Sequence, residues 1–393
     1  MDLKIEGRIP RPYRDFVWLL VLSGSVVFME PAPYGLAFIA LFFAGLVSSH
    51  LEFPRHTVLP TFLLLIFVEA NLASMFFATR DPQIASKYFL ITFYLVLSWV
   101  FFCGLMNKYW EHAPELLLSG YLVSALFAAA TGVLAYLRVI PDFGLIIRLS
   151  GRLTGFFKDP NVFGPYLVAP ALLSLNRLER ENRAGPTAGW TGAFVLLCAG
   201  VFLSFSRAAW GNLVVALAAY AALPSGVALK RRLRALVLVS MIVLPVALGL
   251  LTIPKVTALT VGRFGLQGYD ISRFDTHKKA FLLAWSKPLG LGPAQSDIEF
   301  GMSPHSLYVR VLSEYGLLGA ISLLWLLIGT AWRALSAVFC RHRRPASYSS
   351  VIAASLLGIL VNSAVIDTLH WRHLWLLLAF PWVSTSNKGE NHE

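Results

Sequence analysis

Long apolar runs broken by short polar turns make up most of this chain. A helix needs about 20 apolar residues, at roughly 1.5 Å rise each, to cross the hydrocarbon of a bilayer. The pattern predicts 12 such spans, several of them short, at 16–29, 34–50, 57–78, 88–106, 115–137, 162–175, 188–204, 208–223, 235–252, 307–333, 349–366 and 373–384. The expected fold is all-α: a polytopic membrane protein forming a single integral membrane domain over 1–393, since no internal repeat, low-complexity tract or flexible linker divides it. One long hydrophilic stretch interrupts the spans, residues 253–306. Within it, 272–286 reads as a helix, with Ser272 and Asp275 at capping-box spacing and Lys287-Pro288 as its stop. Phe274, Phe281 and Trp285 share one face at helical period, so this helix is expected to lie on the membrane surface, with Arg273 in its first turn and off that face.

Composition excludes a soluble domain: hydrophobic residues are 57%, charged residues 14% and mean hydropathy is +0.66. Basic loops stay cytoplasmic, and a cytoplasmic N-terminus puts 18 of the 33 Lys and Arg on inner loops. Of the 15 left outside, 11 gather in three places: 138–161, Arg207 and 253–306. Basic residues held on the unfavoured side point to an anionic ligand or to anionic lipid headgroups. The topology rule accounts for most of the net charge of +12, so nucleic acid is discounted as a partner. Cys103, Cys198 and Cys340 lie in or beside apolar spans and read as packing residues. The first apolar stretch follows basic residues as a signal peptide does, yet no small-x-small site precedes Glu30, so it is expected to be retained.

Candidate chemistry concentrates where spans meet the outer loops. The tract from Arg148 to Asn161 is rich in turn formers, and Asn161 is placed to cap the next helix. A simple membrane-edge turn explains it equally well. Ser206-Arg207 interrupts the apolar stretch 193–222, which holds two spans only if this pair is the tip of a tight turn. An arginine so near lipid is costly, and its guanidinium can donate two parallel hydrogen bonds to a phosphate; binding of carbonyls or a lipid phosphate is the structural alternative. In Pro288-Leu289-Gly290-Leu291-Gly292 no helix start with Lys-Ser/Thr follows the glycines, so no nucleotide site is implied. His305 stands where the span 307–333 begins. With Ser303 as cap and Pro304 first in the helix, its imidazole would sit at the positive end of the dipole and stay neutral, as a general base needs. A histidine that merely caps a helix is the alternative. Glu314, nine residues on, is too far along the helix to orient His305. Asp367, in the last outer turn 367–372, can orient it or hold an arginine, while Trp371 and Arg372 also fit an interface anchor.

These tracts resemble, in the right order, those of the O-antigen ligase and polymerase superfamily. The resemblance rests on R-x-x-G-x-F-x-x-P-N from Arg152 to Asn161, and on Ser206-Arg207 followed by Ala208 where glycine is commoner. It rests further on the glycine turn after Pro288-Leu289, on H-[NSQ]-x9-G-x-x-G from His305 to Gly319, and on the carboxylate and W/R tract from Asp367 to Arg372. It covers roughly 148–385, with the loop 253–306 inside it; earlier spans match only in hydropathy. The resemblance implies a GT-C-type transferase of the bacterial inner membrane, with both termini cytoplasmic, its active site periplasmic, and no metal or other cofactor. Its donor would be a glycan on undecaprenyl pyrophosphate, attacked with inversion by an acceptor hydroxyl. His305 would be the base, Arg207 and Arg273 would bind the leaving pyrophosphate with Arg152 assisting, and Asp367 and Arg372 would support. No cluster of outer carboxylates suggests Mg²⁺. The acceptor would be a lipid A-core sugar in a ligase or a second polyprenyl-linked repeat in a polymerase; the short outer loop favours the ligase. A transporter is a remoter alternative: Glu69, Asn71 and Asn212 lie in spans but form no charged relay.

Overall fold

A computed structural model describes residues 8–28, 33–78, 80–142, 144–148, 150–265, 268–339 and 348–383. Lys4, Glu30, Cys340, the basic residues of the inner loop 340–347 and Lys388 lie outside these. Sixteen α-helices form among the described residues, with no strand beyond one bridge between Ile147 and Leu153. The first five are α1 (Arg11–Leu22), α2 (Pro33–Val47), α3 (Val58–Ala78), α4 (Pro82–Lys108) and α5 (Ala113–Tyr136). A broken segment, α6 (Pro160–Tyr166) and α7 (Val168–Arg180), leads to α8 (Ala184–Leu203), α9 (Arg207–Ala222) and α10 (Leu229–Leu251). The hydrophilic stretch folds as α11 (Pro254–Phe264), α12 (Gly268–Ser286) and α13 (Ser296–Phe300), and the chain closes with α14 (Leu307–Phe339), α15 (Ser349–Asn362) and α16 (Arg372–Ala379).

Six helices, α3, α4, α5, α8, α10 and α14, are long and apolar enough to cross a membrane, and α2 and α15 are shorter apolar helices. The chain is an all-helical membrane protein. The expected runs at 16–29, 162–175, 208–223 and 373–384 become α1, the α6–α7 pair, α9 and α16, each shorter than those six. α10 stands at the periphery, only 11% of its apolar window being buried, whereas 61% is buried in α4.

Two breaks in helices shape the interior. Pro170 has no N–H to donate to the Tyr166 carbonyl four residues back; the Tyr121 hydroxyl donates to that carbonyl instead, at 2.7 Å, and the predicted single span divides there into α6 and α7. α14 breaks at Gly316, which has φ 70° and ψ −170°. The glycine turn 288–292 plugs the break: the Leu291 N–H donates to the Ser313 carbonyl at 2.8 Å, the Gly292 N–H to the Glu314 carbonyl at 2.9 Å, and the Leu317 N–H to the Pro288 carbonyl at 3.0 Å. A Cβ on Gly316 would sit 2.1 Å from the Pro288 carbonyl oxygen, and one on Gly290 would sit 2.3 Å from that of Glu314, so only glycine permits both backbones to approach. The glycine turn, in which the sequence implies no nucleotide site, is a structural plug.

The polar loops collect at two ends of the bundle, and α8 runs between them. At its N-terminal end Arg180 donates to the Ser225 carbonyl at 2.7 Å, Arg232 pairs with buried Glu179 at 3.4 Å, and Ser350 bonds to the Pro224 carbonyl. At its C-terminal end the Leu153 N–H donates to the Leu203 carbonyl at 3.0 Å, which seats the tract 148–161 beside the Ser206-Arg207 turn.

Candidate active site

The site assembles from four segments at that second end. The tract before α6 curls through Gly151 and Gly155, both at positive φ, and Asp142 Oδ1 braces it by accepting from the Ile146 and Ile147 N–H groups at 2.8 and 2.9 Å. Asp159, not Asn161, caps α6, accepting from the Asn161 N–H at 2.8 Å. That leaves the Asn161 side chain to join two motifs: its Oδ1 accepts from Arg152 Nη2 at 2.9 Å and from Ser206 Oγ at 2.8 Å. Arg152 also donates from Nε to the Ser204 carbonyl, at 3.1 Å. Arg152 therefore clamps one turn against the other.

The turn between α8 and α9 is as tight as its sequence requires. Phe205 takes a left-handed φ of 47°, Ser206 caps α9 through the Ala209 N–H at 3.3 Å, and Arg207 begins the helix. Arg207 Nη2 meets Asp270 Oδ1 of α12 at 2.5 Å. The carboxylate that partners this arginine lies in the hydrophilic stretch, 63 residues away. α12 starts at Gly268, so Ser272 and Asp275 are not its capping box; Asp275 instead pairs with Lys279 at 2.6 Å. The helix ends before Lys287-Pro288 as expected, and Phe274, Phe281 and Trp285 are all exposed. Arg273 and His277, one turn apart on α12, both act electrostatically on His305.

His305 is half-buried and lies two residues before α14. Its cap is Ser306 rather than Ser303: Ser306 Oγ faces the Val309 N–H at 3.5 Å, and the Ser306 carbonyl accepts from the Arg310 N–H at 2.9 Å. The imidazole makes no hydrogen bond among the described residues. Burial, and next the Arg273 cation, push its pKa below the usual histidine value; Asp367 and Asp159 pull the other way, while His277 adds to the lowering. Relative to an ordinary histidine the neutral form of the ring is favoured. His277, unremarked in the sequence, has its own pKa lowered by burial and by Arg273, and its buried Nε2 has no partner.

Asp367 does not hold His305. It pairs with Arg310, which is 6% exposed and also bonds Glu314 through Nε at 3.1 Å. Glu314 is fully buried and further accepts from the Ala294 N–H, at 2.8 Å, and from the Ser296 hydroxyl. Burial opposes ionisation of Asp367, but Arg310, helped by His370 and the Leu369 N–H, holds its carboxyl below the usual range. This triad locks the 367–371 turn, α14 and the plug loop together behind His305. An (i, i+4) Arg–Glu pair starting five residues after the histidine was the available signal. Arg372 does not join the set: it donates to the Tyr94 hydroxyl at 3.1 Å and lies over the Tyr34 ring, and Trp371 is buried rather than an interface anchor. Among the spans' polar residues, Glu69 is exposed, while buried Asn71 and Asn212 each leave side-chain atoms unpartnered. Among the described residues no three His, Cys, Asp or Glu side chains gather as a metal site.

No curated protein matches the chain. The family model described as O-Antigen ligase matches residues 192–324, a stretch that includes Arg207, Arg273, His305, Arg310 and Glu314. That stretch, from the middle of α8 to the middle of α14, is similar to the O-antigen ligase family.

Proposed function

We propose that the chain is a glycosyltransferase that moves a glycan from undecaprenyl pyrophosphate to a lipid A-core hydroxyl, with inversion, at the periplasmic face of the inner membrane. The observation that carries this reading is the action of Arg273 on a half-buried His305 within the family-matched stretch, with Arg207 of α9 paired to Asp270 on the helix that carries Arg273. In the reaction His305 takes the proton of the acceptor hydroxyl as its oxygen bonds the anomeric carbon. The bond from that carbon to the pyrophosphate oxygen breaks on the opposite side, and its electron pair leaves with the pyrophosphate. Arg207 and Arg273 offset the charge that develops there, in a setting where fixed cations act strongly. Asp270 keeps Arg207 oriented until pyrophosphate takes its place. Arg152 acts through Asn161, fixing the turn from which Arg207 projects.

Purified protein incubated with a polyprenyl-pyrophosphate glycan and lipid A-core is expected to yield lengthened lipid A-core, with or without EDTA. Growth only of the polyprenyl-linked chain when a second donor is supplied would make it a polymerase. No product with either acceptor would overturn the reading.

A further inference from the structure

Glu69 is exposed near the middle of α3, one of the helices long and apolar enough to cross the membrane. Among the described residues it makes no hydrogen bond or ion pair. Every other acidic or basic residue of those six helices stands within two turns of a helix end or, like Glu314, is buried. The packing of α3 keeps Glu69 outward. Phe67 meets Tyr315 of α14 with ring centroids 5.5 Å apart, a Cβ on Gly319 would lie 3.4 Å from that of Ala70, and Asn71 and Ser74 are fully buried on the same side. The outer side carries Val58, Phe62, Leu65, Glu69, Leu72 and Phe76, spaced four and three residues in alternation. A seam at this spacing is what one helix presents to another running parallel to it. A carboxyl within such a seam is costly against lipid, and it becomes an adhesive against a helix that can hydrogen-bond it.

We propose that this face of α3 pairs with the same face of a second copy of the chain, about a two-fold axis along the membrane normal, with the two Glu69 carboxyls hydrogen-bonded to each other. Two copies inserted in one orientation run their α3 helices parallel, so the equal depth of the two carboxyls follows from symmetry. Among the described residues no exposed cation stands near the middle of a span to meet Glu69 in a head-to-tail contact instead. Two carboxyls that share a proton satisfy each other, one donating and one accepting. The pairing rests on none of the chemistry proposed for His305. To test it, the full-length protein with a fluorescent label is reconstituted in phosphatidylcholine vesicles, and the dimer fraction is read by single-molecule photobleaching as the protein-to-lipid ratio rises. The wild type is expected to dimerise, and Glu69→Gln to do so at a similar ratio, because an amide both donates and accepts. Glu69→Leu is expected to need about tenfold more protein per lipid. Leucine suits a lipid-facing position, so this variant should unfold in neutral detergent at no lower a temperature than the wild type; a lower midpoint would give Glu69 a partner within the chain and overturn the proposal. In a background without Cys103, Cys198 and Cys340, Leu72→Cys in the seam is expected to cross-link between copies on oxidation, and Leu244→Cys on exposed α10 is not. A monomeric wild type, a Glu69→Leu variant that dimerises at the wild-type ratio, or cross-linking at position 244 without cross-linking at 72 overturns the proposal. None of these measurements reads glycosyl transfer, so this proposal and the proposed function fail independently.

Discussion

His305 owes its chemistry to neighbours supplied by other elements. A base works in its neutral form, so activity should be full above its pKa and fall as pH drops through it. Burial and Arg273 lower that pKa, so the acid limb of kcat/KM is expected below the ordinary histidine value of about 6.5. Arg273→Gln removes one of the two largest lowering causes and should move the limb to higher pH. A limb that stays in place would show that Arg273 does not act on the base. His305→Ala should abolish transfer while folding and donor binding persist; a folded variant that still transfers at the wild-type rate would sink the base assignment. Arg207→Lys keeps the charge but not the paired hydrogen bonds, so donor affinity should weaken by about tenfold. Unchanged donor affinity and turnover would remove Arg207 from the site.

At the scale of elements, the break in α14 is the feature on which the site's shape depends. A continuous helix would use the carbonyls of Ser313 and Glu314 internally; the break gives them to the plug loop, and the loop in turn brings Ala294 and Ser296 onto Glu314. Gly316→Ala places a methyl on the Pro288 carbonyl and strains a positive φ, so it should cost about 3 kcal/mol or more and lower the thermal midpoint. Gly189→Ala on α8, where nothing lies within 4 Å, is the control and should be neutral or slightly stabilising. Equal midpoints for the two variants would remove the plug's structural role. The glycines of both motifs were legible in the sequence. That they meet each other was not, because positive φ at two distant positions says nothing about which backbones touch.

Across the whole molecule, the base and its arginines need one face of the membrane. The tracts 148–161, 204–207 and 268–277 and the turn at Asp367 do gather at one end of the bundle, and the basic loops around Arg180 and Arg232 gather at the other. In a background without the three native cysteines, single cysteines at Gly268 and Ala184 are tested on intact cells with a membrane-impermeant thiol reagent. Labelling at position 268 alone is expected. Labelling at 184 alone would turn the protein over and put His305 on the cytoplasmic side, out of reach of a donor already flipped outward.

The sequence by itself determined the class of the molecule, because apolar runs bounded by basic turns have few physical outcomes besides helices in lipid. It also marked Arg207 and His305, each a polar group at the edge of an apolar run, and Arg273, off the apolar face of the outer helix. Only the tertiary structure decided the pairings: Arg207 with Asp270, Arg310 with Glu314 and Asp367, Asn161 with Arg152 and Ser206, and Arg372 with the Tyr94 hydroxyl and the Tyr34 ring. Charge partners are chosen by which loops share an end of the bundle and how far each side chain reaches. Caps moved for a related reason: Asp159 and Ser306 displaced Asn161 and Ser303, because a helix start is set by the packing of what precedes it as much as by the capping residue available.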